Sequence, residues 1–96
     1  MSYYKWEWFH DFPDEPVVVY VELDKERWTK RVLEYFQDGS QAWADEREEL
    51  GTMLGEEPYP PDWEINESGE FFIQPVTQEE FEARWAVRKP APLHQI

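Results

Sequence analysis

The sequence predicts an α+β fold, in which an antiparallel sheet of about four strands has a C-terminal helix packed on one face. Three observations lead to this prediction. Apolar and polar residues alternate near the N-terminus, an apolar β-branched run covers Val17 to Leu23, and a helix-capping pattern begins at Thr77. The chain has 96 residues, enough for one hydrophobic core. We therefore expect a single domain over residues 1–89 and a tail over residues 90–96.

The first two strands are expected to form a hairpin. Tyr4, Trp6 and Trp8 share one side of an extended chain, which predicts a half-buried strand. Residues 11–16 contain two prolines and two aspartates, which are typical of a loop. The run from Val17 to Leu23 is apolar on both faces and predicts a central strand that pairs with the first.

A second hairpin is predicted over residues 28–36 and 41–45. The dipeptide Asp38-Gly39 between them is a strong signal for a two-residue hairpin turn. The apolar residues of the first segment also fit helical spacing, so a helix over residues 25–37, ended by Gly39, is the alternative.

The predicted turn also sets the register of this hairpin. It pairs Gln37 with Ser40 and so places Tyr35 opposite Ala42. Large residues then face small ones, and opposite charges meet. The further expected pairs are Glu34 with Trp43 and Arg31 with Glu46.

The middle of the chain is rich in acidic residues, glycine and proline. Residues 45–57 hold six carboxylates and two glycines, which predicts a mobile acidic loop. The prolines that follow are expected to stiffen the chain and to open a short helical turn at Asp62 to Asn66. Glu70 to Val76 is expected to be a short strand or an extended segment on the core.

The clearest local signal predicts the C-terminal helix. Thr77 and Glu80 form a capping box, with Thr77 as N-cap. Phe81 and Trp85 are four residues apart, so they share the face that should pack on the sheet. The helix is expected to end before Pro90.

Composition limits the classes of function. Twenty-two Asp and Glu against nine Lys and Arg give a formal net charge of −13, which disfavours nucleic acid and anionic membranes as partners. The chain has no cysteine, which excludes thiolate catalysis and cysteine-ligated metals. No apolar run approaches the roughly 20 residues that cross a bilayer, and no signal-peptide pattern is present, so we expect a cytoplasmic protein.

Several blocks of the sequence resemble a family of small bacterial cytoplasmic domains of unknown function. The resemblance covers residues 3 to about 86, and its most specific part is Trp8-Phe9-His10-Asp11-Phe12-Pro13-Asp14-Glu15-Pro16. The other matching blocks are Tyr20 with Glu22-Leu23-Asp24, Phe36 with Asp38-Gly39, and Glu79-Glu80-Phe81-Glu82 with Trp85. The resemblance implies a stand-alone domain without established catalytic residues, and it favours the hairpin over the helix at residues 28–44.

One loop combines an imidazole with carboxylates. A carboxylate can orient His10 as a general base, and the group could also hold a divalent ion. The members of this candidate site are His10, Asp11, Asp14 and Glu15. Their spacing matches no recognised metal or nucleophile motif, so turn capping is the favoured role, and we expect no cofactor and no metal.

The composition favours a binding module over an enzyme. Six tryptophans in a small acidic protein are more than one core obviously needs, and aromatic residues dominate binding hot spots. We therefore expect an acidic protein-interaction module with a basic protein partner, in one version an immunity or inhibitor protein for a nuclease-type toxin. The expected contact residues are Glu46, Glu48, Glu49, Glu56, Glu57 and Trp63. The alternatives are a small hydrolase or metal-dependent enzyme centred on His10 and a homodimeric structural protein.

Overall fold

The computed structural model describes residues 1–88 and contains six strands and two helices within them. In chain order they are β1 (Ser2–Trp8), β2 (Val18–Leu23), β3 (Thr29–Tyr35), β4 (Gln41–Ala44), β5 (Glu49–Leu50), α1 (Asp62–Glu67), β6 (Phe71–Pro75) and α2 (Gln78–Ala86). The strands form one antiparallel sheet in the order β5-β4-β3-β2-β1-β6. The predicted α+β class and C-terminal helix are confirmed, whereas the predicted number of about four strands is wrong.

Two additional strands extend the sheet at its edges. Strand β6 pairs with β1, so that Trp8 lies opposite Phe71, and this pairing brings the last strand beside the first. Strand β5 lies inside residues 45–57, for which the sequence predicts a loop. The Asp45 carboxylate accepts hydrogen bonds from the backbone N–H groups of Arg47 and Glu48, which turns the chain back so that β5 pairs with β4.

The hairpin prediction for residues 28–45 is confirmed, but its register is wrong by one residue. Tyr35 lies opposite Gln41, and Leu33 lies opposite Trp43. The connection has three residues rather than two, and Gly39 adopts a left-handed conformation (φ 87°) at its end. The observed register places Leu33 and Trp43 on the same buried face, and a one-residue slip would send one of them to the other face.

Helix α2 covers one face of the sheet. The Thr77 hydroxyl accepts a 3.0 Å hydrogen bond from the Glu80 backbone N–H, as the capping box predicts. Phe81 is fully buried and stacks on Trp85 at 6.1 Å. The buried residues of this face are Tyr3, Tyr20, Leu33, Trp43 and Phe81.

The opposite face is covered by the irregular segment that leads from β5 to α1. Leu54 and Tyr59 from this segment pack over the buried residues Val19, Val21, Leu23, Val32 and Ala44. Helix α1 then packs against β6. No helix among residues 1–88 is long and apolar enough to cross a membrane. The predicted tail over residues 90–96 lies outside the described residues.

Candidate functional site

Three aromatic side chains from the first and last strands meet on the face opposite α2. Alternation along β1 places Trp6 and Trp8 on this face, and β6 adds Phe71. The rings of Trp8 and Phe71 stack at a centroid distance of 5.4 Å, and Trp6 meets Phe71 edge-on at 5.7 Å. All three side chains are half-buried, so part of each ring contacts solvent.

An apolar groove of about 220 Å³ opens beside these rings, and we call it the aromatic groove. Its lining combines aromatic rings, prolines and one isoleucine: Trp6, Pro58, Tyr59, Pro60, Ile65 and Phe71. The Trp6 indole N–H donates a 3.0 Å hydrogen bond to the Tyr59 hydroxyl. Burial raises the pKa of Tyr59 to about 12, so this hydroxyl is neutral near pH 7.

Arg27 fixes one wall of the aromatic groove. Its guanidinium donates hydrogen bonds to the carbonyl oxygens of Tyr59 (3.2 Å) and Pro60 (2.8 Å) and forms a 2.8 Å salt bridge with Asp62. It also donates to the Tyr4 hydroxyl, at 3.2 Å. Arg27 itself has a left-handed backbone (φ 70°) in the turn between β2 and β3, a conformation that is uncommon for residues other than glycine. These contacts hold the backbone of Tyr59 and Pro60 against the turn between β2 and β3.

Helix α1 supplies the other end of the groove. Asn66 holds the helix to β6, because its side chain accepts a hydrogen bond from the Ile73 N–H (2.6 Å) and donates one to the Ile73 carbonyl (3.2 Å). The helix follows Pro61, as the sequence predicts. It places Ile65 in the groove and leaves Trp63 66% exposed.

A carboxylate lies on the same face as these rings. The strand register aligns Trp6, Val19 and Glu34 across β1, β2 and β3. Burial raises the pKa of Glu34, and the nearby negative charge of Glu15 raises it further, against the opposing effect of a 2.9 Å hydrogen bond from the Thr52 hydroxyl. Within residues 1–88, no salt bridge includes Glu34.

The arginines of the chain lie largely against its own aromatic rings. Among residues 1–88, four guanidinium groups lie 4.0–5.9 Å from ring centroids: Arg27 over Tyr4, Arg31 over Phe81 and Trp85, Arg84 over Tyr20 and Tyr35, and Arg88 over Trp43 and Trp85. Arg31 also forms salt bridges with Glu22 (2.8 Å) and Glu82 (2.6 Å). These four guanidinium groups therefore lie against the chain's own rings, although Arg84 is exposed to solvent.

The structure gives His10 a role in holding its own loop. The ring Nδ1 accepts a 2.9 Å hydrogen bond from the Phe12 backbone N–H, so Nε2 bears the proton and donates to the Pro16 carbonyl at 2.7 Å. The other predicted members of this site are exposed on the same loop; they are Asp11, Asp14 and Glu15. In the described part of the chain, no group of three or more His, Cys, Asp or Glu residues is arranged to hold a metal ion.

The predicted contact residues lie in three places. Glu46, Glu48 and Glu49 lie at the turn between β4 and β5 or in β5, at the far edge of the sheet from β6. Glu46 is also 3.4 Å from the Lys30 ammonium group. Glu56 and Glu57 directly precede Pro58 of the aromatic groove, and Trp63 is in α1. The structure thus places Glu56, Glu57 and Trp63 in the segments that form the groove and Glu46, Glu48 and Glu49 away from it.

Sequence reasoning missed most of the groove. It placed Trp6 and Trp8 on one face of β1, but it assigned Tyr59 to a stiff proline segment and Phe71 to a short strand of unspecified pairing. Trp6 and Tyr59 are 53 residues apart. Local hydrophobic periodicity does not predict a contact between residues so far apart in the sequence. The stacked rings of Trp8 and Phe71 likewise depend on the pairing of two distant strands.

One family matches the chain. The profile of a family described as a domain of unknown function (DUF6881) matches residues 2–89, a range that includes every strand and helix described above. The expected resemblance to a family of domains of unknown function is confirmed at this level. No curated protein and no solved structure matches the chain.

Proposed function

We propose that this chain, which belongs to the DUF6881 family of domains of unknown function, is an acidic protein-interaction module that binds a basic protein in its aromatic groove. One observation supports this proposal above the others. A groove lined by Trp6, Tyr59 and Phe71 opens on a molecule with a net charge of −13. Rings in a preformed groove are typical of binding hot spots, and the negative field favours a partner of opposite charge.

The two parts of this surface have different effects on binding. Burying Trp and Tyr rings against a partner removes apolar area from water and slows dissociation. The carboxylates away from the groove, such as Glu48 and Glu49, act at longer range and speed the encounter. The predicted acidic contacts therefore affect mainly the association rate, and the groove affects mainly the dissociation rate.

A narrower version of the proposal is that the protein is a bacterial, cytoplasmic immunity or inhibitor protein for a nuclease-type toxin. Nucleases bind phosphate backbones through basic clefts, and an acidic module with an aromatic anchor would block such a cleft. Co-expression with the adjacent genes tests this version. We expect a stoichiometric complex with a basic nuclease and loss of its activity, whereas neighbours that encode no basic protein would contradict it.

The geometry of His10 favours a binding module over a hydrolase. A general base needs a ring nitrogen that can reach substrate, and both nitrogens of His10 bond to the backbone of their own loop. The alternative that the protein is a homodimer predicts that light scattering measures the mass of a dimer.

A display selection tests the general proposal. The full chain is immobilised, and random twelve-residue peptides are selected at low salt. We expect enriched peptides to have net positive charge and at least one large apolar or aromatic residue, and to be released by about 0.3 M salt, where the Debye length is well below 10 Å. Enrichment of neutral or acidic peptides, or of none, would contradict the proposal.

A further inference from the structure

Phe12 is a large ring that the fold holds in place and yet leaves in solvent. Its side chain is 57% exposed and is not among the buried residues of either face of the sheet. Its backbone N–H donates to His10 Nδ1 at 2.9 Å, and its carbonyl oxygen accepts from the Glu15 N–H at 3.3 Å. The His10 ring also stacks on the Phe12 ring at a centroid distance of 5.4 Å. The loop therefore positions this exposed ring without burying it.

Ring contacts connect Phe12 to the aromatic groove. The Phe12 ring lies 6.4 Å from the ring of Trp8, and Trp8 stacks at 5.4 Å on Phe71, which lines the groove beside Trp6. The four rings form a continuous series that begins in the groove and ends on the loop, and we call it the aromatic row. A partner seated in the groove therefore has further apolar surface within reach at this end.

The loop that carries Phe12 has the charge that suits a basic partner. Residues 9–16 include three exposed carboxylates and neither lysine nor arginine. The carboxylates belong to Asp11, Asp14 and Glu15. A basic segment that leaves the groove along the aromatic row meets negative charge beside the last ring.

We propose that the partner binds through an extended basic segment that places one large apolar side chain in the aromatic groove and a second one against Phe12. This inference rests on the proposed function and adds the form of the bound segment and the spacing of its apolar residues. The row makes two steps from Phe71 to Phe12, of 5.4 and 6.4 Å between centroids. An extended chain advances roughly 3.3 Å per residue and alternate side chains share one side, so the two apolar residues are about four positions apart.

Two phenylalanines of the loop provide a matched comparison. Phe12 and Phe9 are similarly exposed, at 57% and 60%, but within residues 1–88 the ring contacts include Phe12 and not Phe9. The titrant is a basic peptide enriched in the display selection, and calorimetry measures its affinity for the full chain. We expect Phe12→Ala to weaken binding about fivefold and Phe9→Ala to change it less than about twofold.

A substitution in the peptide shows whether the contact with Phe12 is direct. Replacing the second apolar residue of the peptide by alanine should weaken binding to the natural protein about fivefold and should cause no further loss in the Phe12→Ala protein. Additive losses in this double-mutant cycle would overturn the inference.

The remaining outcomes separate this inference from the proposed function. If Phe71→Ala weakens binding but Phe12→Ala does not, or if Phe9→Ala weakens it as much as Phe12→Ala, the inference is overturned and the groove remains the binding site. Enriched peptides with only one large apolar residue would have the same meaning. If neither Phe71→Ala nor Phe12→Ala weakens binding, both the inference and the proposed function fall.

Discussion

Individual carboxylates in this protein have opposite electrostatic surroundings on the two faces of the sheet. On the α2 face, Glu22 is only 8% exposed, and although burial opposes it, hydrogen bonds from Arg31 and Tyr3 lower its pKa. On the groove face, burial raises the pKa of Glu34, and none of the salt bridges among residues 1–88 includes it. The first carboxylate stabilises the fold, whereas ionisation of the second lowers the stability of the fold.

The raised pKa of Glu34 gives a stability test with a definite sign. The folded state holds the Glu34 proton more tightly than the unfolded state, whose pKa is near the ordinary value of 4.5. Its contribution to stability is therefore complete below pH 4.5 and is lost as the pH rises through the raised folded value. Glu34→Gln removes this loss, so we expect the variant to be at least as stable as the natural protein at pH 7. Urea unfolding between pH 4 and pH 7 measures the difference, and a clearly less stable variant at pH 7 would contradict this account.

Loss of Arg31 should destabilise the fold strongly. Arg31→Ala leaves Glu22 buried without its cation and removes the salt bridge that joins Glu82 of α2 to β3. We expect a loss of about 3 kcal/mol in the free energy of unfolding, within the range for breaking a buried ion pair. Arg47→Ala is the control, because Arg47 is exposed, and it should change stability by less than about 0.5 kcal/mol. Equal effects of the two substitutions in urea unfolding would contradict the proposed role of the Arg31 network.

At the level of secondary structure, local sequence patterns correctly predicted the elements that local interactions stabilise. The alternation in β1, the turn signal at Gly39 and the capping box at Thr77 each gave an element of the correct type. The register of the second hairpin was missed because a three-residue turn with a left-handed glycine and a two-residue turn share the same Asp-Gly signal.

The elements that build the groove were harder to predict for a physical reason. Strand β6 exists through its pairing with β1, and α1 is held by the bonds of Asn66 to Ile73. Neither interaction produces a periodic pattern in the sequence. The candidate site, which was predicted from acidic runs and tryptophans, therefore included Trp63 but not Tyr59 or Phe71.

The hairpin between β3 and β4 provides a test of turn geometry. Gly39→Ala introduces a side chain at φ 87°, where no neighbouring atom lies within 4 Å, so backbone strain is the main effect. We expect a loss of about 1–2 kcal/mol. Gly55→Ala is the matched control, because its backbone has no left-handed angle and an added Cβ would make ordinary contacts at 3.8 and 3.9 Å. Chemical unfolding should separate the two variants, and equal stability would contradict the three-residue turn.

At the scale of the whole molecule, the two faces of the sheet are covered by different parts of the chain. On the α2 face, buried rings lie against the guanidinium groups of Arg31 and Arg84, and Arg31 also joins Glu22 and Glu82 by salt bridges. The opposite face is covered by an irregular segment and a short helix, and it leaves an apolar groove beside half-buried rings. The surface that remains is strongly acidic, with a net charge of −13 over the chain. The proposed basic partner would match both features if it presents a large apolar side chain to the groove.

The most direct test of this account compares two phenylalanines on one strand. Phe71 lines the aromatic groove, whereas Phe72 points to the other side of the sheet and is 44% exposed. Using a basic peptide from the selection, calorimetry should show that Phe71→Ala weakens binding about tenfold or more and that Phe72→Ala changes it less than about twofold. If Phe72→Ala weakens binding as much as Phe71→Ala, or if folded Phe71→Ala binds like the natural protein, the groove is not the binding site.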